Sequence, residues 1–585
     1  MKFLLTAINA KFIHSNPAIY SLRSFALAKE PGLLGMMELA EYTINHELSA
    51  ILADIYRRRP DAIGFSCYIW NWTMVQELVR EVHKLLPDTQ IWLGGPEVSY
   101  EPQEALGDLP EVTGIMVGEG EETFLELMRR YAQKGTAVTQ EGLADIAGLY
   151  LPSGATGARG PVDLSEVPFL YDDLSAFENR IIYYESSRGC PFRCSYCLSS
   201  IDKAVRLRDM ETVKKELQYF LDKRVAQVKF VDRTFNVNHA HAMAIWEYIK
   251  KHDNGVTNFH FEIEADLLTE EELALLATLR PGLAQMEIGV QSTNPETLRE
   301  IRRHASVERI GAVTHRLREA HNIHIHLDLI AGLPHEDYET FRKSFNDVYA
   351  MRPEQLQLGF LKVLKGSYMY EMAEEYGLRY LSKPPYEVLF SKWLPYEDVI
   401  RLKKIEEMVE LYYNSNQFTH ILPVLEREFA DAFAMYEALA GYYEEHGYFV
   451  HTPSRAYRYE VLLQFALERA PEHEELFKEL LTYDMYLREN LKARTGFMKD
   501  LRDWHGEIQA FYEKEEVQPE VLAGYEGYHA RQLSKMTHAE VFSYPVWNGQ
   551  GQDEKLETPV IVVFDYKKRD PLNGSAQTHL LKSGL

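Results

Sequence analysis

The sequence predicts an α/β protein made of an N-terminal doubly wound, Rossmann-like domain, a partial (β/α)6 barrel and a mainly helical C-terminal domain with a short β end. Two stretches in which short apolar strands alternate with helices predict the first two parts, because such alternation is typical of parallel sheets. The pattern then changes to helices rich in Glu, Tyr and Leu. We expect domains at 1–133, 181–383 and 384–585, with a linker at 134–180.

Length and composition bound the class of protein. A chain of 585 residues is too long for one core and suggests roughly three to four domains. It has no run of about 18 apolar residues, so we expect no membrane span. Four cysteines exclude a disulfide scaffold and favour a cytoplasmic location. The net charge of −25 argues against broad nucleic-acid binding, which needs a positive surface.

The N-terminal part shows five short apolar segments with helical stretches between them. The expected strands are Phe3–Asn9, Gly35–Tyr42, Ala62–Tyr68, Gln90–Leu93 and Gly114–Val117. One helix is expected over Thr73–Leu86, where apolar residues share one face and Pro87 follows. A ligand of a doubly wound sheet lies at the C-terminal edges of its strands. The loops at those edges are therefore the candidate binding loops of this part.

Residues 134–180 are rich in Gly, Thr, Asp and Pro and are expected to form a linker with at most a small hairpin. Alternation then resumes. The expected barrel strands are Ile181–Glu185, Gln227–Asp232, His260–Ala265, Met286–Val290, His324–Ile330 and Gln355–Leu361. Barrels of this kind carry their active loops at the strand C-termini. The C-terminal part ends in an apolar strand at 559–566, and 574–585 is expected to be a frayed tail.

Three of the four cysteines form a C-x3-C-x2-C loop directly after the first expected barrel strand. These are Cys190, Cys194 and Cys197. This spacing can hold three irons of a [4Fe–4S] cluster and leaves the fourth iron without a protein ligand. A zinc knuckle would need a fourth nearby Cys or His, and the sequence supplies none. We therefore expect a cluster whose open iron can bind a small molecule.

With this loop and the strand pattern in hand, residues 181–370 resemble a radical S-adenosylmethionine (SAM) domain. Residues 1–130 resemble the cobalamin-binding domain that precedes it in the cobalamin-dependent subclass, and the tail resembles one branch with an uncharacterised C-terminal domain. The resemblance implies three cofactors: the [4Fe–4S] cluster, SAM and cobalamin. It also implies reductive cleavage of SAM to methionine and a 5′-deoxyadenosyl radical.

The resemblance assigns SAM-binding positions residue by residue. Four of them match residues that contact SAM in oxygen-independent coproporphyrinogen oxidases. The expected SAM-binding residues are Tyr196, Asp232, Glu264, Gln291, Arg303 and Asp328. Tyr196 would flank the adenine, and Asp328 would accept hydrogen bonds from the ribose. Asp232 lies where the family carries a Gly-Gly-Glu-like motif whose glycines are absent here. His324 and His326 share a strand face beside Asp328, and we prefer a barrel-interior or packing role for them over metal binding.

The same resemblance points to cobalamin contacts in the loops of the first domain. The expected residues are Asn9, His14, Ser66, Cys67, Gly94, Gly95, Pro96, Glu97, Gly118 and Glu119. The Asp-x-His-x-x-Gly motif of other cobalamin proteins is absent after the first strand, which implies a lower face without its histidine. Cys67 either faces the cobalt or is a small buried hydrophobe. Glu119 either binds the cofactor or suits a helix N-terminus.

The leading hypothesis is a methyltransferase acting on an unactivated carbon of an unknown, small-molecule substrate. Relatives that use cobalamin for oxidation, rearrangement or cyclisation supply an alternative, and a redox or cobalamin sensor supplies another. The resemblance further implies an external electron donor of the flavodoxin or ferredoxin type. The C-terminal domain either closes the substrate pocket or buttresses the barrel.

Overall fold

The computed structural model describes residues 1–549 and 552–581. Every helix in these ranges falls short of the length and apolarity that a membrane crossing requires. The N-terminal elements, in chain order, are β1 (Phe3–Asn9), α1 (Pro17–Lys29), β2 (Met37–Thr43), α2 (Leu48–Arg58), β3 (Ala62–Ser66), α3 (Trp72–Leu85), β4 (Gln90–Gly94), α4 (Pro96–Ser99), α5 (Pro102–Asp108), β5 (Val112–Met116), α6 (Glu121–Lys134), β6 (Leu149–Leu151) and β7 (Gly154–Ala155).

These strands form one sheet with the order β2-β1-β3-β4-β5-β6-β7, in which β1 to β5 are parallel. Strand β1 is buried along its whole length. Its residues alternate between two apolar clusters: Phe3 and Leu5 belong to one, and Leu4 and Ile8 to the other. Both faces are therefore covered, as expected of a parallel sheet. The five strands expected from the sequence are confirmed, with small shifts at their ends.

The segment expected to be a linker contributes to this sheet. Strands β6 and β7 form a short antiparallel hairpin, and β6 pairs with β5. The small hairpin is thus present as an extension of the first sheet. The boundaries given to the linker and to the domains remain predictions.

The second set of elements begins with β8 (Ile182–Tyr184), β9 (Ser187–Arg188), β10 (Arg206–Leu207), α7 (Met210–Asp222), β11 (Gln227–Phe230), α8 (His239–Lys251), β12 (Asn258–Ile263), α9 (Glu270–Leu276), β13 (Ala284–Gln291), α10 (Pro295–Glu300), α11 (Val307–Glu319), β14 (Ile323–Ala331), α12 (Tyr338–Tyr349) and β15 (Gln355–Phe360). Parallel strands in the order β15-β14-β13-β12-β11-β8 form a partial barrel. All six strands expected from the sequence are confirmed.

The chain continues through α13 (Tyr368–Glu371), β16 (Arg379–Tyr380), β17 (Val388–Phe390), α14 (Tyr396–Met408), α15 (Ile421–Leu425), α16 (Ala432–Glu445), α17 (Tyr457–Arg469), α18 (Glu474–Arg488), α19 (His505–Val517), α20 (Ala530–Met536), β18 (Thr537–Phe542), β19 (Val560–Arg569) and β20 (Ala576–Leu581). The frayed tail expected at 574–585 is wrong for β20, which pairs with β19 in an antiparallel sheet. The last four residues of that prediction lie outside the described residues.

The helical tail packs against the outside of the barrel. Phe345 on α12 and Tyr436 on α16 belong to one continuous apolar cluster, with ring centroids 5.8 Å apart. Polar contacts border this contact, including a hydrogen bond of 2.6 Å from Tyr338 Oη to Glu437 Oε1. A buttressing role of the tail, one of the two alternatives, agrees with this packing.

Candidate functional site

The three closely spaced cysteines lie on a loop that follows β9 at the C-terminal end of the first barrel strand. Cys190 and Cys194 are each 8% exposed, and all three are free thiols. Gly189 precedes them with a φ of +99°, and a Cβ there would collide with the carbonyl of Ala204. Glycine takes this conformation without strain, so the entry into the loop depends on it.

Backbone hydrogen bonds from distant segments hold this loop. Cys190 N donates to Asp202 O at 2.9 Å. Ser195 N donates to Ile301 O at 2.9 Å, and Met369 N donates to Ser195 O at 2.8 Å. Thiolates on a loop held in this way are suitable ligands for an iron–sulfur cluster. The residues present therefore fit the predicted group.

A buried polar cluster lies beside the cysteines. Arg303 Nη2 donates to Glu264 Oε2 at 2.8 Å and also to the carbonyl of Gly289, and Arg303 Nη1 lies 3.9 Å from Cys194 Sγ. Three buried atoms in this cluster have no partner: Glu264 Oε1, Gln291 Oε1 and Arg303 Nε. Burying unpaired polar atoms is costly, so a ligand with amine and carboxylate groups fits here. The sequence prediction for these residues is compatible with this arrangement.

Two features shape this polar cluster. Burial raises the pKa of Glu264, while Arg303 opposes that rise. Gln291 has a φ of +72°, and the register of β13 against β14 shifts between Gly289 and Gln291. A left-handed backbone is strained for a residue with a side chain, and such strain often accompanies a functional position. The bulge brings the Gln291 amide back over Gly289, beside the Arg303 guanidinium.

The other three predicted SAM residues are placed differently. Asp328 lies on β14. Its Oδ1 lies 3.0 Å from His326 Nε2, but the two atoms do not have the geometry of a hydrogen bond. Tyr196 is half-buried and packs against an apolar cluster that includes Leu298. Packing thus accounts for part of its role, and its contact with adenine remains a prediction.

Asp232 is the predicted SAM residue whose placement disagrees with a direct contact. Its side chain is fully buried, and it accepts hydrogen bonds from Ser186 N and Oγ and from Ser187 Oγ, at 2.6 to 3.0 Å. The carboxylate is therefore saturated by the strand end that leads into the cluster loop. We correct its expected role to one of positioning that loop.

A cavity of about 970 Å³ opens between the C-terminal edge of the first sheet and the barrel. It is lined by eight of the ten residues expected to contact cobalamin, namely Asn9, His14, Ser66, Gly94, Gly95, Pro96, Gly118 and Glu119. Residues of the cluster loop, including Gly189 and Leu198, line it as well. The predicted cobalamin loops and the two ends of the cluster loop therefore border one cavity, whereas the three cysteines and Glu264, Gln291, Arg303 and Asp328 are not among its lining residues.

The remaining two residues lie elsewhere. Cys67 is 0% exposed within the apolar cluster between the sheet and α3, so it is the small buried hydrophobe of the two alternatives. Its backbone instead packs tightly against Gly95, whose φ is +112°. Glu97 accepts a hydrogen bond from Tyr386 Oη. Contact of either side chain with cobalamin is therefore not supported, because neither reaches the cavity.

Ion pairs join the first domain to β9 and β10, the two short strands that flank the cluster loop. Arg188 Nη2 lies 3.1 Å from Glu121 Oε1, and Arg206 pairs with Glu119. Burial would raise the pKa of Glu119, but its hydrogen bond with Arg206 helps to lower it overall. Glu119 lines the cavity, yet its carboxylate is already engaged by the barrel. Its main observed contact is therefore interdomain.

Several cavity residues, among them Tyr183, Lys229 and Glu262, were not predicted from the sequence. His14 Nδ1 lies 2.5 Å from Tyr183 Oη, which ties the first loop to the first barrel strand. Lys229 and Glu262 line the cavity from β11 and β12. The alternation of residues along each barrel strand is the signal that could have identified them, since every second residue of such a strand faces inward.

Three family models match successive parts of the chain. A B12 binding domain matches residues 33–128, the radical SAM superfamily matches 184–348, and a protein family of unknown function, DUF4080, matches 374–564. These matches agree with the predicted cofactors, a [4Fe–4S] cluster, SAM and cobalamin. The sequence recognition is confirmed.

Individual relatives are more distant. The cobalamin-dependent radical SAM methyltransferase TokK from Streptomyces tokunonensis is 26% identical over 56% of this chain and 51% of that protein. The chain thus spans about half the length of this curated relative. Among solved structures, the radical SAM methyltransferase TsrM from Kitasatospora setae has a TM-score of 0.52 at 18% identity, covering 66% of this chain and 78% of TsrM.

A second solved structure extends further along the chain. The cobalamin-dependent SAM radical enzyme OxsB has a TM-score of 0.54 at 16% identity, covering 84% of this chain and 73% of OxsB. Both structural likenesses establish the fold and agree with the predicted fold class. In chain order, the sequence therefore contains regions that match a B12 binding domain, the radical SAM superfamily and a protein family of unknown function.

Proposed function

We propose that this protein is a cobalamin-dependent radical SAM methyltransferase that acts on an unactivated carbon of a small molecule. The observation that carries the proposal is the cavity of about 970 Å³, which is bordered by the predicted cobalamin loops and by both ends of the cluster loop. Cofactors that act on one substrate must border a common space, so that the protein can hold the reacting groups in fixed positions before the reaction. The methyltransferase names of relatives such as TokK favour methyl transfer over other outcomes.

The protein's part is to hold and orient its cofactors. Cys190, Cys194 and Cys197 would hold three irons of the cluster. Glu264, Gln291 and Arg303 would orient the methionine end of SAM, since their unpartnered atoms need the hydrogen bonds that an amine and a carboxylate supply. Asp328 would accept hydrogen bonds from the ribose hydroxyls through Oδ2, because Oδ1 faces His326. When bound, SAM with the cluster supplies hydrogen-atom abstraction and cobalamin supplies the methyl group.

The loops around the cavity would keep this space closed. The pairs Arg188–Glu121 and Arg206–Glu119 tie the first domain to the strands that flank the cluster loop, and His14 contacts Tyr183 across the same boundary. Such contacts would exclude water from reactive groups. Reduction of the cluster requires an external donor, and we propose a partner of the flavodoxin or ferredoxin type.

Labelled methyl transfer tests the proposal. Protein reconstituted anaerobically with iron, sulfide and cobalamin would be given reductant and SAM labelled in its methyl group. We expect the label on the bound corrinoid, and none without reductant. If 5′-deoxyadenosine forms but no label leaves SAM for corrinoid or product, methyl transfer is overturned. Oxidation, rearrangement or cyclisation would then be favoured.

A further inference from the structure

The barrel interior contains a second cluster of ionisable side chains, separate from the cysteines. Strand register brings Glu262 on β12, Glu287 on β13 and His326 on β14 to one level of the barrel. Asp328 lies two residues further along β14 on the same face. One possible ligand atom from each of Glu287, His326 and Asp328 lies within 4.8 Å of the other two.

Glu287 Oε2 accepts a hydrogen bond from Lys229 Nζ, but two buried imidazole nitrogens beside it make no hydrogen bond of good geometry. His326 is 7% exposed and its Nε2 has no hydrogen-bond partner, although Asp328 Oδ1 lies 3.0 Å away. His260 is 8% exposed. Its Nε2 lies 3.1 Å from Glu287 Oε2 but does not have the geometry of a hydrogen bond to it. Buried imidazoles are usually satisfied. A buried imidazole nitrogen that converges with two carboxylates in this way is a donor set that fits a cation.

We propose that Glu287, His326 and Asp328 form a divalent metal site inside the barrel, with His260 beside it, 3.1 Å from Glu287. Two carboxylates balance the charge of a divalent ion. Lys229 Nζ lies 3.1 Å from Glu287 Oε2 and 3.4 Å from Glu262 Oε1, so Glu262 can retain this ammonium when Glu287 turns to a metal. Mixed imidazole and carboxylate ligands suit transition metals such as zinc, iron or manganese. This goes beyond the barrel-interior or packing role that the sequence favoured for His326.

The site borders the space proposed for the substrate. Lys229 and Glu262 line the large cavity, and Glu287 contacts Lys229. Three protein ligands leave a coordination position open, as in catalytic zinc sites. That position would accept an oxygen or amine of the substrate. This substrate contact rests on the proposed function, whereas the binding of the ion itself does not. Asp328 Oδ1 faces His326, which leaves Oδ2 for the ribose.

Metal binding can be measured without the iron–sulfur cluster. The full-length triple variant Cys190→Ala, Cys194→Ala, Cys197→Ala would be freed of metal and titrated calorimetrically with Zn²⁺ and with Mn²⁺. We expect about one ion per chain for at least one of the two metals. Adding His326→Gln or Glu287→Gln should weaken binding at least tenfold. His239→Gln is the matched control, because His239 is an exposed histidine 3.1 Å from Glu272.

Cobalt substitution gives a second readout. We expect Co²⁺ to give a visible ligand-field spectrum in the triple variant that His326→Gln removes and His239→Gln preserves. Unchanged thermal midpoints would show that the variants fold. The proposal is overturned if no divalent ion binds, or if binding is unaffected by His326→Gln and Glu287→Gln. Because the triple variant cannot carry the cluster, neither result depends on whether the protein cleaves SAM.

Discussion

Arg303 and Glu264 form a buried ion pair, with 2.8 Å between Nη2 and Oε2, and the same guanidinium reaches to within 3.9 Å of Cys194 Sγ. The pair therefore links the cluster loop to the end of β12. Burial would lower the pKa of Arg303, but Tyr196, Glu264 and Cys194 raise it overall. The cation is thus held beside the predicted position of the SAM carboxylate.

Replacing this cation should weaken SAM binding more than cluster binding. We expect Arg303→Ala to lower SAM affinity about 100-fold, because a charge-assisted pair to a carboxylate is lost (~2–3 kcal/mol). Equilibrium dialysis with reconstituted protein measures the affinity, and iron analysis measures the cluster. Arg316→Ala, at an arginine that is 58% exposed on α11, should leave both unchanged. Equal SAM affinity in Arg303→Ala and wild type would contradict the assignment.

The glycine before the cluster loop should be required for cluster loading. In Gly189→Ala the new Cβ meets the carbonyl of Ala204 in a backbone conformation that costs roughly 1–3 kcal/mol for a non-glycine residue. We expect iron content to fall by more than half. Gly107→Ala is the control, because nothing lies within 4 Å of its Cβ. Full iron content in Gly189→Ala would show that the loop tolerates a different path.

Two neighbouring residues should differ in their effect on cobalamin. Ser66 lines the cavity, whereas Cys67 is buried away from it. We expect Ser66→Phe to reduce bound cobalamin more than tenfold, by filling the space, with iron content retained. Cys67→Ala should keep its cobalamin and lose only about 1–2 kcal/mol of stability. Cobalt analysis and visible spectra measure the difference, and loss of cobalamin in Cys67→Ala alone would reverse our correction.

Glu336 should make stability depend on pH. Burial raises its pKa to about 7, although Ser292 and Ser344 donate hydrogen bonds to it. A carboxyl group whose pKa is higher in the folded than in the unfolded protein stabilises the fold at pH values below its unfolded-state pKa. That contribution is lost as the pH rises through the folded-state pKa of about 7. Asp337 is the nearby like charge that adds to the shift.

The corresponding variant is Glu336→Gln, which cannot ionise. The free energy of unfolding of the variant minus that of wild type should rise by roughly 2–3 kcal/mol from pH 5 to pH 8, because only wild type loses stability over this range. Urea denaturation at both pH values measures this change. Parallel stability profiles for the two proteins would show that Glu336 does not titrate in this range.

The sequence predicted the parallel strands well for a physical reason. Strands such as β1 are buried on both faces, so they are uninterrupted apolar segments that can be recognised from the sequence of the segment alone. Strand β20 was missed because Ala576–Leu581 mixes polar and apolar residues and is stabilised by pairing with β19. Its strand character comes from a partner that a local pattern does not reveal.

Long-range contacts explain most differences at the candidate site. Glu97 accepts a hydrogen bond from Tyr386, 289 residues away, and Asp232 accepts hydrogen bonds from Ser186 and Ser187, 46 and 45 residues away. Motif positions identified the right loops, but these tertiary partners decide which side chains face the cavity. Alternation along β11 divides its residues into two faces, but which of the two faces the cavity, and hence the role of Lys229, is apparent only when the barrel is assembled.

The formation of 5′-deoxyadenosine tests the central claim most directly. Protein containing cobalt and about four irons per chain would be mixed anaerobically with dithionite and SAM, and the product quantified by mass spectrometry. Our account predicts 5′-deoxyadenosine only when reductant is present, and none from the Cys194→Ala variant. Fully loaded protein that produces no more 5′-deoxyadenosine than a protein-free control would contradict it.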